Sequence, residues 1–458
     1  MKPVRIDSAA KARAEVEKRG LDYVKVGVFD IDGILRGKFM HRDKFFSALE
    51  AGFGFCDVVL GWDSDDRLYD NVQFTGWHTG YPDAQVRLLP ETTRNLPFEF
   101  DGQGLLVLGA FIGEAAAVCP RNLLARTLAE AEAMGFAATA AFEYEFFLFD
   151  ETPQSVRRKG YRGLKPATPG NFGYSVLRTS VWAEFHAELL KTLTAMDLPL
   201  EGLHTETGPG VMEASLDKDD GLAAADKAAL FKTFAKVLAQ RHGLMATFMA
   251  KWSPDYPGQS GHIHLSLKSR RGGRPVFHDA KAEHGIGRTM RHFIGGQQRL
   301  MPELLAMIAP TVNSYTRMIP GFWAPTNATW GVENRTCALR VVTGAPSYQR
   351  VEFRIAAADA NPHLALAAAL GAGLWGIEHQ VEPTAPVKGN AYEARVPARL
   401  DFPRTLAEAA DRLRRSKAAR ELFGDAFVEH FAATREWEER EFRRAITDWE
   451  LKRYFEII

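Results

Sequence analysis

Apolar positions change their period several times along the chain. Residues 23–29 (YVKVGVF) alternate as a strand does, Asp30-Ile31-Asp32-Gly33 supplies a turn, and residues 34–39 lead away again. That pattern predicts a hairpin, preceded by an amphipathic helix over residues 8–19. A third apolar stretch, residues 104–111, ends at Cys119-Pro120-Arg121-Asn122, where the period becomes helical through residues 123–134. The change marks a domain boundary near residue 113 and divides the chain into residues 1–113 and 114–458. Beyond it, strands are predicted over residues 137–149, 203–207, 211–216, 245–249, 262–267 and 351–355. Helices are predicted over residues 180–196, 223–242, 288–301, 361–378, 405–413 and 425–441. The alternation is too irregular for a barrel of eight equal units, so the fold class is α+β, with an antiparallel sheet carrying the chemistry.

Composition narrows the partners more than the fold. With 458 residues, 46% of them hydrophobic and 25% charged, the chain is long enough for two or three cored domains. Lysine plus arginine (57) equals aspartate plus glutamate (57), so no basic excess recruits nucleic acid or anionic lipid. The three cysteines, Cys56, Cys119 and Cys337, form neither a disulfide framework nor a CxxC metal motif. The first twenty residues lack an apolar leader segment, and no run approaches the length of a membrane span, the longest weakly polar one being residues 356–377. A cytoplasmic protein is expected.

The chemistry begins at FEYEFF, residues 142–147. On a strand, Glu143 and Glu145 face one side while Phe142, Tyr144 and Phe146 face the other, so the acids line a cavity and the rings fill a core. Glu206 and Glu213 flank Gly208-Pro209-Gly210, a turn that folds the second carboxylate back towards the first. His262 and His264 share one face of GHIHL, and Glu352 and Arg354 share one face of VEFRI. Singly, each pair is what an edge strand or a surface hairpin provides; four together point to one site. Five acids with one or two imidazoles suit Mg²⁺ or Mn²⁺ better than structural zinc. Arg317, Arg335, Arg340, Arg350 and Arg354 fall among Gly, Pro, Asn and aromatic residues, an environment for binding a multiply anionic substrate rather than for solvated charge. Metal-binding acids beside phosphate-binding arginines are the equipment of phosphoryl transfer, yet no Walker loop and no kinase signature is present. A glycosidase uses paired acids but has no need of five arginines.

Taken in order, these segments resemble the motifs of the glutamine synthetase superfamily: FEYEFF, HTETGPGVME, SGHIHLSL, NSYTRMIPGFWAPTNATWGVENRTCALR and VEFRIAAADANPHLALAAALGAGL, followed by the C-terminal ITDWELKRYF. The resemblance implies an N-terminal β-grasp domain, a catalytic domain whose antiparallel sheet forms a funnel, and hexameric rings, often paired as dodecamers, in which a neighbour's N-terminal domain completes each site. It implies that Glu145, Glu206 and Glu213 bind one metal and Glu143, His262 and Glu352 a second. It assigns Glu201, His264 and Ser266 to ATP, Arg340 and Arg350 to its phosphates, Gly258 and Arg317 to glutamate, and Arg335 and Arg354 to the transferred phosphoryl group.

The chain departs from the ammonia-using pattern at PGFWAP, where Trp323 replaces a glutamate that shields the intermediate and takes a proton. An indole has no carboxylate, but offers an apolar wall and a π face to an organic amine. Pro257 stands where an asparagine usually precedes Gly258, and the ammonium-binding aspartate has only a loose counterpart in LGWDSDD, where Asp63 is taken, with Asp65 and Asp66 close behind. The reading is therefore a γ-glutamyl amide ligase of the γ-glutamylpolyamine or γ-glutamylalkylamide type, joining glutamate to an organic amine through γ-glutamyl phosphate. The alternatives are a true glutamine synthetase and a ring-forming relative that has lost the reaction.

Overall fold

The computed structural model describes residues 1–458. Its fifteen strands are β1 (Tyr23–Phe29), β2 (Leu35–His41), β3 (Phe53–Cys56), β4 (Asp83–Leu88), β5 (Arg94–Leu96), β6 (Gly104–Phe111), β7 (Phe136–Phe149), β8 (Leu200–Thr205), β9 (Val211–Leu216), β10 (Asp219–Asp220), β11 (Met245–Thr247), β12 (Gly261–Ser269), β13 (Trp330–Val332), β14 (Leu339–Val342) and β15 (Arg350–Phe353). They form two sheets interleaved with helices, a mixed α+β fold.

The first sheet runs β2-β1-β6-β4-β3, with β5 also on β6 and with β1 and β6 parallel. The predicted hairpin is there, its turn held by the buried Asp30 carboxylate, which accepts from the backbone N–H groups of Asp32 and Ile34 and from Arg36. Strand β6 is apolar throughout because both of its faces are covered: Leu105 and Val107 join a small core with Val24, Val26 and Phe45, while Leu106 and Leu108 face the large core of the rest of the chain. The small core extends through Val118 and Cys119, past residue 113. Helix Arg42–Ala51 and strands β3 and β4 were not predicted; their apolar periods are short and broken by charge.

The second sheet runs β13-β14-β15-β12-β7-β9-β8, antiparallel except for β13 with β14, and β10 and β11 also pair with the long β7. Behind it Tyr144 and Phe146 pack on Phe231 and Phe248, and Phe142 stacks on Tyr144, with ring centroids 5.2–6.2 Å apart; truncating one such buried ring costs about 3–5 kcal/mol. Helix Pro362–Glu378 is buried almost all round and crosses helix Arg288–Leu304 at Gly376 and Gly296, where a Cβ on Gly296 would meet the Gly376 Cα at 2.5 Å. The weakly polar run at residues 356–377 is this core helix and its approach. No helix is long and apolar enough to cross a membrane.

Candidate active site

The register of the second sheet sets the site. Because directly opposed residues of an antiparallel pair lie close on one face, the pairings His204↔Glu213↔Glu145 make one rung, Ser215↔Glu143↔His262 the next, and His264↔Glu352↔Arg340 a third. Gly208 and Gly210, at φ 133° and 72°, turn the chain between β8 and β9. A Cβ at Gly210 would lie 2.3 Å from the Leu148 carbonyl oxygen, so the tight return that brings Glu213 beside Glu145 needs glycine there. The result is a pocket of about 470 Å³ lined by all six expected metal residues, together with His264, Gly258, Trp323 and the five arginines.

Charge within it is unevenly balanced. Glu352 accepts from Arg340 at 2.9 Å and from Arg354, and although burial opposes its ionisation, Arg354, the two histidines and Arg340 bring it down to about 2. Burial likewise opposes ionisation of Glu143, but hydrogen bonds and charge from His262 and His264 outweigh it and lower its pKa. Glu213 has only the His204 imidazole, at 3.7 Å: burial, then the charges of Glu143, Glu145 and Glu206, push it up to about 10. A cluster of carboxylates that holds a proton for want of positive charge fits a divalent cation. Two triplets have ligand atoms within 4.8 Å of one another, Glu143–His264–Glu352 and His204–Glu206–Glu213.

The second triplet contains His204, which sequence reading passed over. Its Nε2 lies 3.3 Å from Glu206 and 3.7 Å from Glu213, and its ring stacks on Tyr174 at 4.4 Å. Its position two residues before Glu206 was the available signal; Tyr174 gave none, since a loop brings it. Glu145, placed in that group by expectation, accepts from the Ser260 N–H at 2.6 Å and hydroxyl at 2.7 Å while still lining the pocket. His262, whose pKa burial and Arg354 lower, sits 3.4 Å from Glu143 and 3.5 Å from Glu352.

Among the arginines, Arg317 is 2% exposed and donates to the carbonyls of Ile355 and Arg354, and burial brings it down to about 10. Arg350 donates to His264 Nδ1 at 3.1 Å and lies over the Tyr348 ring. Arg335 is exposed and its guanidinium is in no ion pair. Gly258 passes so close to Arg317 that a Cβ would approach its Cγ to 2.7 Å. Glu201 and Ser266 line an adjoining cavity of about 220 Å³, which shares Glu143, His264 and Arg350 with the main pocket.

Asp63, expected to be catalytic, is not in the pocket. One carboxylate oxygen accepts the backbone N–H groups of Asp65 and Arg67 and the other accepts Trp437 Nε1, so this buried group closes a turn and anchors a helix.

Comparison with known proteins agrees with this geometry. The family described as glutamine synthetase, catalytic domain, matches residues 117–454. A type-1 glutamine synthetase of Dictyostelium discoideum is 43% identical over 441 residues, 95% of this chain and 84% of the relative. A glutamate–isopropylamine ligase of a Pseudomonas species is 37% identical over 452 residues, 98% of each chain. A gamma-glutamylethanolamide synthetase of Streptomyces coelicolor is 38% identical over 443 residues, 95% of this chain and 93% of that one. The solved structure of GmaS with ADP superimposes with a TM-score of 0.83 at 26% identity, covering 97% of this chain and 99% of the other.

Proposed function

Because the chain belongs to the glutamine synthetase family, whose members are ligases acting on glutamate with ammonia or an amine, we propose that it forms a γ-glutamyl amide from glutamate and an organic amine, with ATP cleaved to ADP and phosphate through γ-glutamyl phosphate. Glu145, Glu206 and Glu213 hold one Mg²⁺ or Mn²⁺, joined by His204, and Glu143, His262 and Glu352 hold the second. When bound, the ions supply Lewis-acid neutralisation of phosphate charge. Glu201, His264 and Ser266 seat the nucleotide in the adjoining cavity, and Arg340 and Arg350 orient its phosphates. Arg317 and the close backbone at Gly258 hold glutamate, and Arg335 and Arg354 place fixed positive charge where the transferred phosphoryl group passes.

The observation that carries the choice of acceptor is Trp323. It lines the pocket, is 57% exposed and adopts φ 62°, so the flap presents an indole where a carboxylate would attract ammonium. Phe322 and Tyr174 add aromatic surface to the same pocket. The isopropylamine and ethanolamide relatives support this reading; the 43% identity to a glutamine synthetase favours ammonia as the second reading. Phosphate release with ammonium and with a panel of alkylamines, polyamines and aromatic amines, the adduct identified by mass, separates them. Higher kcat/KM for an organic amine is expected, and preference for ammonium overturns the proposal. No turnover with any acceptor leaves a non-catalytic relative.

The proposal includes residues 1–113 as a β-grasp domain, residues 114–458 as the catalytic domain, and assembly into hexameric rings, which light scattering tests. The separate small core supports the division, and the exposed Trp77, Val176 and Leu177 support association.

A further inference from the structure

Behind the sheet that carries the active site lies a second cavity, of about 960 Å³, which the ligase reading does not use. Helix Gly221–Arg241 forms one wall and places Lys232, Lys236 and Gln240 at successive four-residue intervals, on one face, with Arg241 alongside. Lys232 Nζ donates to the Ala360 carbonyl at 2.9 Å and lies 5.8 Å from the Phe248 ring centroid; Lys236 Nζ lies 5.6 Å from the same centroid. Two ammonium groups therefore share one ring and repel each other. Neither they nor Arg241, which rests over Phe98, is in an ion pair.

The acids of the cavity are committed elsewhere. Asp32 pairs with Arg435 at 2.8 Å, and Asp359 accepts from the hydroxyls of Thr311 and Ser314. Burial raises the pKa values of both Asp359 and Glu438, which reduces the negative charge they offer. Burial and then the neighbouring Lys236 push Lys232 down to about 7, outweighing the opposing charges of Asp359 and Asp32. Ile34, Val237 and Met249 make an apolar wall, with Ile34 37% and Met249 44% exposed. Cations lacking partners beside an exposed apolar wall are complementary to an anion with an apolar body.

We propose that this cavity binds a small organic dianion with a flat apolar body, its negative groups held by Lys232, Lys236 and Arg241. The segment leaving β15, which carries Glu352, runs through Asp359 and Ala360, so the cavity adjoins the strand that supplies an active-site acid.

Phthalate, a flat ring bearing two carboxylates, is the probe. Calorimetric titration uses protein stripped of metal and transferred to a buffer free of EDTA and other carboxylates, and the Arg340→Met variant reports any binding in the arginine-lined active pocket. Saturable binding at one site per chain is expected, weakened at least about tenfold in Lys236→Met and further in Lys232→Met/Lys236→Met, with the Arg340→Met variant unchanged. Melting curves confirm folding, and Lys236→Met, at an exposed position, serves alone should the double variant fail to fold. Absence of saturation by about 10 mM, or binding unaltered in Lys236→Met, overturns the proposal. So does a ring structure in which a neighbouring copy's side chains fill the cavity.

Discussion

The active pocket and the cavity behind the sheet are opposites in charge and alike in defect. In the active pocket, burial and then the charges of Glu143, Glu145 and Glu206 push Glu213 up to about 10; in the cavity behind the sheet, burial and then Lys236 push Lys232 down to about 7 against the weaker opposing charges of Asp359 and Asp32. Within the active pocket the defect is one-sided, since Arg340 and Arg354 already neutralise Glu352. Crowded like charges left unpaired are costly to a fold, more so at the buried acids than at the half-buried Lys232 and exposed Lys236, so each cluster marks a place where the missing charge arrives with a ligand.

The sharpest contrast is between a neutralised acid and an unneutralised one. Replacing Glu352 with Ala leaves the buried Arg354 without a carboxylate and Arg340 with Glu333 alone, and denaturant unfolding is expected to show a loss of about 3–5 kcal/mol together with loss of turnover. Glu213→Gln replaces a carboxyl that the metal-free pocket already keeps neutral, and breaks no ion pair with an arginine. In EDTA its melting temperature is expected to equal or exceed that of the wild type, while Mn²⁺ affinity falls at least about 100-fold by titration. A destabilised Glu213→Gln protein in EDTA would break the comparison.

Trp323→Glu restores negative charge to the flap, and the ratio of kcat/KM for amine over ammonium is expected to fall about tenfold, equivalent to about 1.4 kcal/mol of transition-state discrimination. A last contrast concerns Lys232 and is read against pH. Its folded pKa, about 7, lies below the unfolded value of 10.5, so between these values the unfolded chain binds more protons. Stability should therefore fall as pH drops from about 10 to 7, by at most ~1.4 kcal/mol per pH unit, and level off below. Unfolding of Lys232→Met should lack this component, and an identical pH profile in the two proteins would contradict it.

What the sequence disclosed follows from how local each feature is. The two-residue period of FEYEFF, the Gly-Pro-Gly turn and the paired VEFRI residues are properties of single strands, and the structure places their side chains as that period requires. The rungs that align His262 with Glu143 and Glu352 with Arg340 are long-range register, which no window of sequence contains. His204 stands two residues before Glu206, a spacing visible in the sequence, but its approach to Glu213 depends on strand pairing. Asp63 closes a turn within this chain, and a run of aspartates has the same appearance whether it closes a turn or faces a substrate. The second cavity was invisible, since its lysines, Ile34 and Asp359 meet only when distant segments pack.

Crystals soaked in Mn²⁺ and measured at the manganese absorption edge test the central claim most directly. Two anomalous peaks are expected, one against Glu145, Glu206 and Glu213 and the other against Glu143, His262 and Glu352. An empty pocket, or manganese bound only on the outer surface, would contradict the assignment of this acidic cluster as the metal centre of a ligase.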